Sequence, residues 1–174
     1  MCVAALAWQA HPDWPLVAVG NRDEFHARPA APLAAWPDGG ILAGRDLQSG
    51  GTWMGVSTTG RLAIVTNLRG YGGPDPDKAS RGALVTDLLA GSGPYASVVG
   101  TPLDGFNPFN LILADGKELH FLTNRPAPVR TELAHGIYGL SNGALDEPWP
   151  KTLQLKAALL DWLTADAGDF APLF

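Results

Sequence analysis

The chain of 174 residues holds a single cysteine, Cys2, and its position carries more meaning than its type. A small side chain at position two permits removal of Met1, which would leave a thiol and a free α-amine on one residue. Unperturbed, those groups titrate near about 8.5 and about 8. With a neighbouring cation and partial desolvation, one residue can then supply both nucleophile and base. Position alone favours a plainer reading, a small hydrophobe buried at the head of a strand. A second cluster shifts the balance. The run Gly20-Asn21-Arg22-Asp23-Glu24-Phe25-His26-Ala27-Arg28-Pro29 sets charged and amide side chains directly after an apolar strand. If the first two strands pair antiparallel, this run arrives beside Cys2. Arg22 would then depress the thiol pKa, and Asp23 would orient or accept from the α-amine. The competing reading is a solvated turn with incidental ion pairs.

Other chemistries find little support. No Gly-x-x-x-x-Gly-Lys-Ser/Thr loop, Gly-x-Gly-x-x-Gly turn or Gly-x-Ser-x-Gly elbow occurs. His11, His26, His120 and His135 stand apart without metal-ligand spacing, so neither a metal nor another cofactor is expected. The formal net charge of −5 argues against a nucleic-acid partner. One cysteine excludes an internal disulfide framework. No stretch reaches the roughly 18 apolar residues of a membrane span. The apolar start, Met1 to Trp8, lacks a basic region and a cleavage site, so a soluble, cytoplasmic protein is expected.

The elements that must position Cys2 follow from patterning. A hydrophobic share of 46% and a charged share of 17% are those of a globular chain, and the length suits one domain over residues 1–174. Val3 to Trp8 and Leu16 to Gly20 read as a hairpin joined through His11-Pro12-Asp13. Trp53 to Ser57 and Leu62 to Thr66 read as a second pair around Thr59-Gly60. Phe109 to Ala114 and Glu118 to Thr123 flank Asp115-Gly116, where two turn positions tolerate positive φ. Ile137 to Leu140 reads as one more strand. A helix is expected over Ser80 to Ala90, capped by Ser80, buried through Leu84, Val85, Leu88 and Leu89, and ended by Gly91. Another is expected over Trp149 to Thr164, opening near Pro150 and carrying Leu153, Leu160, Trp162 and Leu163. Residues 71–77 read as a mobile surface loop. Paired strands with single helices between them predict an α+β fold with antiparallel sheets. The apolar ending, Phe170-Ala171-Pro172-Leu173-Phe174, suggests a chain lacking its C-terminal portion.

Taken together, Met1-Cys2, Asn21-Arg22-Asp23-Glu24 with Arg28-Pro29, Gly51-Thr52-Trp53-Met54-Gly55, Thr66-Asn67 with Arg69, Ser80-Arg81-Gly82, and Leu140-Ser141-Asn142 ahead of Pro148-Trp149-Pro150-Lys151 resemble the NRDE-motif family. This is the family of the transport and Golgi organisation protein two. The resemblance implies an Ntn-hydrolase-like αββα sandwich of two antiparallel sheets, distantly similar to the bile-salt hydrolases and penicillin V acylases. Carried over by residue, it implies Cys2 as nucleophile with Arg22 and Asp23 beside it. Asn67 would match an oxyanion-hole amide and Asn142 a second active-site Asn. A family segment of the form Tyr-Gly-Thr-Arg, expected further on, has no counterpart here.

The expected function is therefore a cysteine N-terminal-nucleophile hydrolase or acyltransferase acting on a linear amide or acyl substrate. Asn21, Glu24, Trp53 and Arg69 are candidate substrate contacts, with Trp53, Phe25, Tyr71 and Phe106 as candidate apolar pocket wall. The alternative is a non-catalytic binding or trafficking protein for haem or a lipid-like ligand on the same fold, with His26 or Cys2 nearest to serving as a haem ligand. An oligomer is compatible with either.

Overall fold

The computed structural model describes residues 2–37, 40–165 and 169–173. In chain order the strands are β1 (Val3–Trp8), β2 (Leu16–Asn21), β3 (Ala30–Ala35), β4 (Ile41–Asp46), β5 (Met54–Ser57), β6 (Leu62–Asn67), β7 (Phe109–Ala114), β8 (Leu119–Thr123), β9 (Val129–Leu133) and β10 (Gly136–Leu140). The helices are α1 (Arg81–Ala90) and α2 (Pro150–Thr164), with short 3-10 turns at Leu103–Gly105 and Ala171–Leu173. The chain forms two compact units, one of Met1–Asp23 with Ala134–Phe174 and the other of Glu24–Leu133. Both sheets are antiparallel throughout, as the paired strands predict.

In the first unit the sheet order is β10-β1-β2. β1 is the central strand, opposite Asn21 at Val3 and opposite both Gly20 and Leu140 at Ala4. Ala5 and Ala7 pack with Val17, Val19, Leu159, Trp162 and Leu163 under α2. Ala4 and Leu6, on the other face, are fully buried as well. Burial on both faces explains why β1 is a continuous apolar run instead of an alternating one. Pro150 opens α2 at its first position, where a missing N–H costs nothing. Leu153 and Leu160, expected on the buried face, are instead half exposed, and Thr152 and Leu159 take that place. The two pairs stand one residue apart, about 100° around the helix. Overlapping leucine stripes made the wrong one look equally apolar. Close approach of α2 to the sheet requires Gly139, since a Cβ there would lie 2.3 Å from Thr152 Cγ2. Trp14, Trp162 and Phe170 close the far end, with ring centroids 5.0 to 5.7 Å apart.

In the second unit the strands run as a meander, β3-β4-β5-β6-β7-β8-β9. Leu84, Val85, Leu88 and Leu89 of α1 pack on Ile41, Ala43, Ala63, Val65, Leu111, Leu113 and Leu122. Gly91 ends α1 with φ +67°, its N–H bonded to the Asp87 carbonyl. Ser80 stands at the N-cap as expected, but its side chain makes no capping bond. The Asp115-Gly116 turn also differs from expectation. Ala114 pairs with Leu119, so the loop is longer than two residues, and only Gly116 takes positive φ, at +92°. Asp115 Oδ1 accepts instead from the N–H groups of Lys117 and Glu118, an Asx-type closure. Strands β3, β4 and β9 were not legible in the pattern. β3 is an alanine-rich, exposed run broken by a register shift between Ala31 and Ala34, with Pro32 inside it. β9 is an almost wholly exposed edge strand. Such edges tolerate proline and polar residues and lose the alternation that marks a strand. The 71–77 loop is exposed but tied down: Asn107 accepts from the Asp75 N–H at 2.7 Å and donates to the Asp75 carbonyl at 2.8 Å.

Candidate active site

The antiparallel registers of β1 deliver two further chain segments to its N-terminal end. β2 ends at Asn21, opposite Val3, so Arg22 and Asp23 follow alongside Cys2. β10 ends at Leu140, opposite Ala4, so Ser141 and Asn142 arrive from the other side. Cys2 is buried, at 9% exposure, and Asn142 at 4%. The Cys2 carbonyl accepts two hydrogen bonds, from Ser141 Oγ at 2.9 Å and from Lys151 Nζ at 2.9 Å. The structure thus gathers Cys2, Arg22, Asp23 and Asn142 in one unit, with Asn21 exposed at the end of β2.

The electrostatics of the thiol departs from expectation. Burial is the largest influence and pushes the Cys2 pKa up, because a thiolate is poorly solvated there. The N-terminal ammonium, the Asp23 backbone N–H and the Arg22 guanidinium pull it down, as predicted for Arg22, while the Asp23 carboxylate pushes it up. Burial prevails, which favours the protonated thiol. Such a sulfur needs a base at the moment of attack.

The remaining sequence candidates belong to the second unit. Glu24 accepts from its neighbour's N–H at Phe25 and lies 3.9 Å from Arg28. Arg28 in turn bonds Asp46 through Nε at 2.9 Å and Nη2 at 2.6 Å, and donates to Ser49 Oγ at 3.0 Å. Arg28 therefore cross-links the end of the Asn21-to-Pro29 run to the 46–49 segment. Asp46 also accepts from the N–H groups of Gln48 and Ser49. Partial burial works to raise its pKa, yet these bonds and the Arg28 charge hold it below the ordinary carboxylate range. Asn67 ends β6 and is exposed, as is Arg69 just beyond it. Trp53 packs partly buried against the α1 core. The expected apolar wall does not form from Phe25, Tyr71 and Phe106. Phe106 is fully buried core, edge-on to Tyr95 and Phe109, whereas Phe25 is 84% exposed and Tyr71 45%. His26 is exposed.

The glycines of two sequence motifs are explained by packing. Gly51-Thr52-Trp53 and Ser80-Arg81-Gly82 meet backbone to backbone: a Cβ on Gly51 would stand 2.3 Å from the Gly82 carbonyl carbon. Arg81 anchors the start of α1 to the Pro108 carbonyl at 2.9 Å. Three contributions escaped the sequence reading. Ser141 and Lys151 belong to the Leu140-Ser141-Asn142 and Pro148-Trp149-Pro150-Lys151 motifs, but nothing in the motifs shows that both reach the Cys2 carbonyl. Asn124, fully buried, accepts from the Phe109 N–H and donates to the Leu103 and Phe106 carbonyls. Nothing in the sequence distinguishes it from a turn residue.

Spacing predicts four isolated histidines, but one of them has acidic neighbours. His120 lies with Asp115 and Glu118, their ligand atoms within 4.8 Å of one another. Asp115 and Glu118 are exposed, and Asp115 already closes its turn, so the group reads as a hairpin end. No helix among the described residues is long and apolar enough to cross a membrane.

The fold is α+β with two antiparallel sheets, and solved structures of similar fold exist. The Caenorhabditis elegans ortholog of N-acylethanolamine-hydrolyzing acid amidase matches it with a TM-score of 0.57, over 92% of this chain and 77% of that one. At 12% identity the likeness is one of fold alone. Sequence narrows the class further: the chain belongs to the Transport and Golgi organisation 2 family, whose model matches residues 1–171. It is 36% identical to the mouse Transport and Golgi organization 2 homolog and 37% identical to the human protein, in each case over 87% of this chain. The Drosophila melanogaster protein is 26% identical over 173 residues. The chain spans about 60% of the length of these curated relatives.

Proposed function

We propose that this chain carries the nucleophile of a cysteine amidohydrolase or acyltransferase, with Cys2 attacking the carbonyl of a linear amide or acyl substrate. The observation that carries this reading is that Arg22 and Asp23 act on a buried thiol at a strand head, while Ser141 and Lys151 hold the carbonyl of the same residue and Asn142 follows Ser141 at the end of β10. A structural cysteine needs no such surroundings. The family resemblance of the Asn21-Arg22-Asp23-Glu24 and Leu140-Ser141-Asn142 motifs, which implies a distant likeness to bile-salt hydrolases and penicillin V acylases, points to the same assignment.

In this mechanism Met1, which lies outside the described residues, is removed and the Cys2 nitrogen becomes a free α-amine. The amine accepts the thiol proton as the sulfur attacks, forming the S–C bond of a tetrahedral intermediate. The Asn142 amide and backbone N–H groups stabilise the developing oxyanion, an effect of several kcal/mol where water is excluded. Collapse breaks the C–N bond, and the leaving amine departs with the proton returned by the α-amine. Water, deprotonated by the same amine, then cleaves the thioester, or an acceptor amine takes the acyl group. The role of Asn67 rests on the family resemblance alone.

Intact-mass measurement reports whether Met1 is absent, and an acylating probe then reports nucleophilicity. The expected result is loss of the methionine mass and labelling that disappears in Cys2→Ala. Retained Met1 with no Cys2-dependent labelling would overturn the proposal and leave the ligand-binding alternative.

A further inference from the structure

The Pro148-Trp149-Pro150-Lys151 motif puts a lysine at the second residue of α2. A cation in the first turn of a helix opposes the macrodipole, and no acidic residue in that turn compensates it. Its location is thus unfavourable for α2 and calls for another reason. The side chain supplies one: Nζ lies 5.3 Å from the Trp149 ring centroid and donates to the Cys2 carbonyl at 2.9 Å. The buried Ser141 hydroxyl donates to the same oxygen at 2.9 Å. A peptide carbonyl has two lone pairs, so both donors can be accommodated, and the ammonium makes one bond charge-assisted. One donor comes from the segment after β10 and the other from the first turn of α2. Between them they fix the plane of the Cys2–Val3 peptide, and with it the direction in which the Cys2 side chain leaves the strand.

We infer that Lys151 is a positioning residue: with Ser141 it clamps the Cys2 carbonyl and so sets the attack direction of the thiol. This rests on Cys2 being the nucleophile, and its test is chosen to read the clamp separately. Because the chain has one cysteine, labelling with carbonyl-13C cysteine gives a single Cys2 resonance. Loss of a hydrogen bond shifts that signal upfield. Lys151→Gln and Ser141→Ala are each expected to move it, while Lys151→Arg, which keeps a cationic donor, leaves it near the wild-type position. Acylation of Cys2 by a thiol-reactive probe is expected to slow by about tenfold or more in Lys151→Gln and to recover in Lys151→Arg. General structural damage would not be repaired by arginine in this way. A Cys2 resonance unmoved in a folded Lys151→Gln protein overturns the clamp, whatever the probe does. A resonance that moves in a protein whose wild-type Cys2 takes up no probe supports the clamp and overturns the nucleophile reading.

Discussion

Replacing Gly51 by alanine tests whether the Gly51 and Gly82 motifs exist for packing. The added Cβ would sit 2.3 Å from the Gly82 carbonyl carbon, 2.6 Å from its oxygen and 2.8 Å from the Ala83 nitrogen. Carbon atoms pack comfortably at about 3.5–4.0 Å, so α1 and the 51–53 segment must separate by more than about 1 Å. All three obstructing atoms are backbone, and no rotamer change can relieve them. Overpacking of this kind costs about 1–3 kcal/mol, and the absence of a flexible neighbour points to the upper end. The ceiling is set by the four α1 side chains, Leu84, Val85, Leu88 and Leu89, whose burial stabilises by roughly 1.5–3 kcal/mol apiece. A loss of about 3 kcal/mol corresponds to a fall in Tm of about 6–12 °C for a chain of this size. Thermal denaturation followed by circular dichroism measures it, with Gly73→Ala as control, since nothing lies within 4 Å of a Cβ there. A Gly51→Ala protein melting within about 1 °C of wild type would refute the packing account.

Acidification should expose the Arg28–Asp46 tie. The folded-state pKa of Asp46 lies below its unfolded value, so the tie contributes fully above about pH 4 to 5 and is lost as pH falls through the folded pKa. Asp46→Ala is expected to lower stability by about 1.5–3 kcal/mol at neutral pH, and the gap in Tm from wild type should narrow steadily toward pH 2.5. A gap independent of pH would refute the electrostatic assignment. Asn124→Ala leaves one N–H and two carbonyls without their amide partner in a dry core. The expected loss is about 3 kcal/mol or more, again read as Tm, and Asn124→Asp should be little better because a carboxylate cannot donate to Leu103 and Phe106.

The sequence made the site more legible than the second unit's edges. β1 and β2 were read from apolar runs, and their antiparallel pairing alone brings Arg22 and Asp23 to Cys2. The Leu140-Ser141-Asn142 arrival was visible only as a motif, since pairing of β10 with β1 joins residues far apart in the chain. The sign of the thiol shift was not legible: Arg22 was identified, but the depth of burial that outweighs it is a property of the folded packing. Phe25 and Phe106 make the same point, being alike in type yet 84% and 0% exposed. Arg28 looked continuous with the Asn21-to-Glu24 run because sequence adjacency does not reveal which carboxylate a guanidinium chooses, here Asp46.

Gly139 carries no functional group, yet it governs the depth at which α2 seats on its sheet. A methyl there would meet Thr152 Cγ2 at 2.3 Å and Lys156 Cδ at 2.8 Å, lifting the very turn from which Lys151 reaches Cys2. The reach of that ammonium is thus calibrated by an omitted atom on β10. Any survey of tolerated substitutions that scores only reactive side chains would overlook it, although a single carbon at position 139 would press on the turn that carries the charged donor to the Cys2 carbonyl.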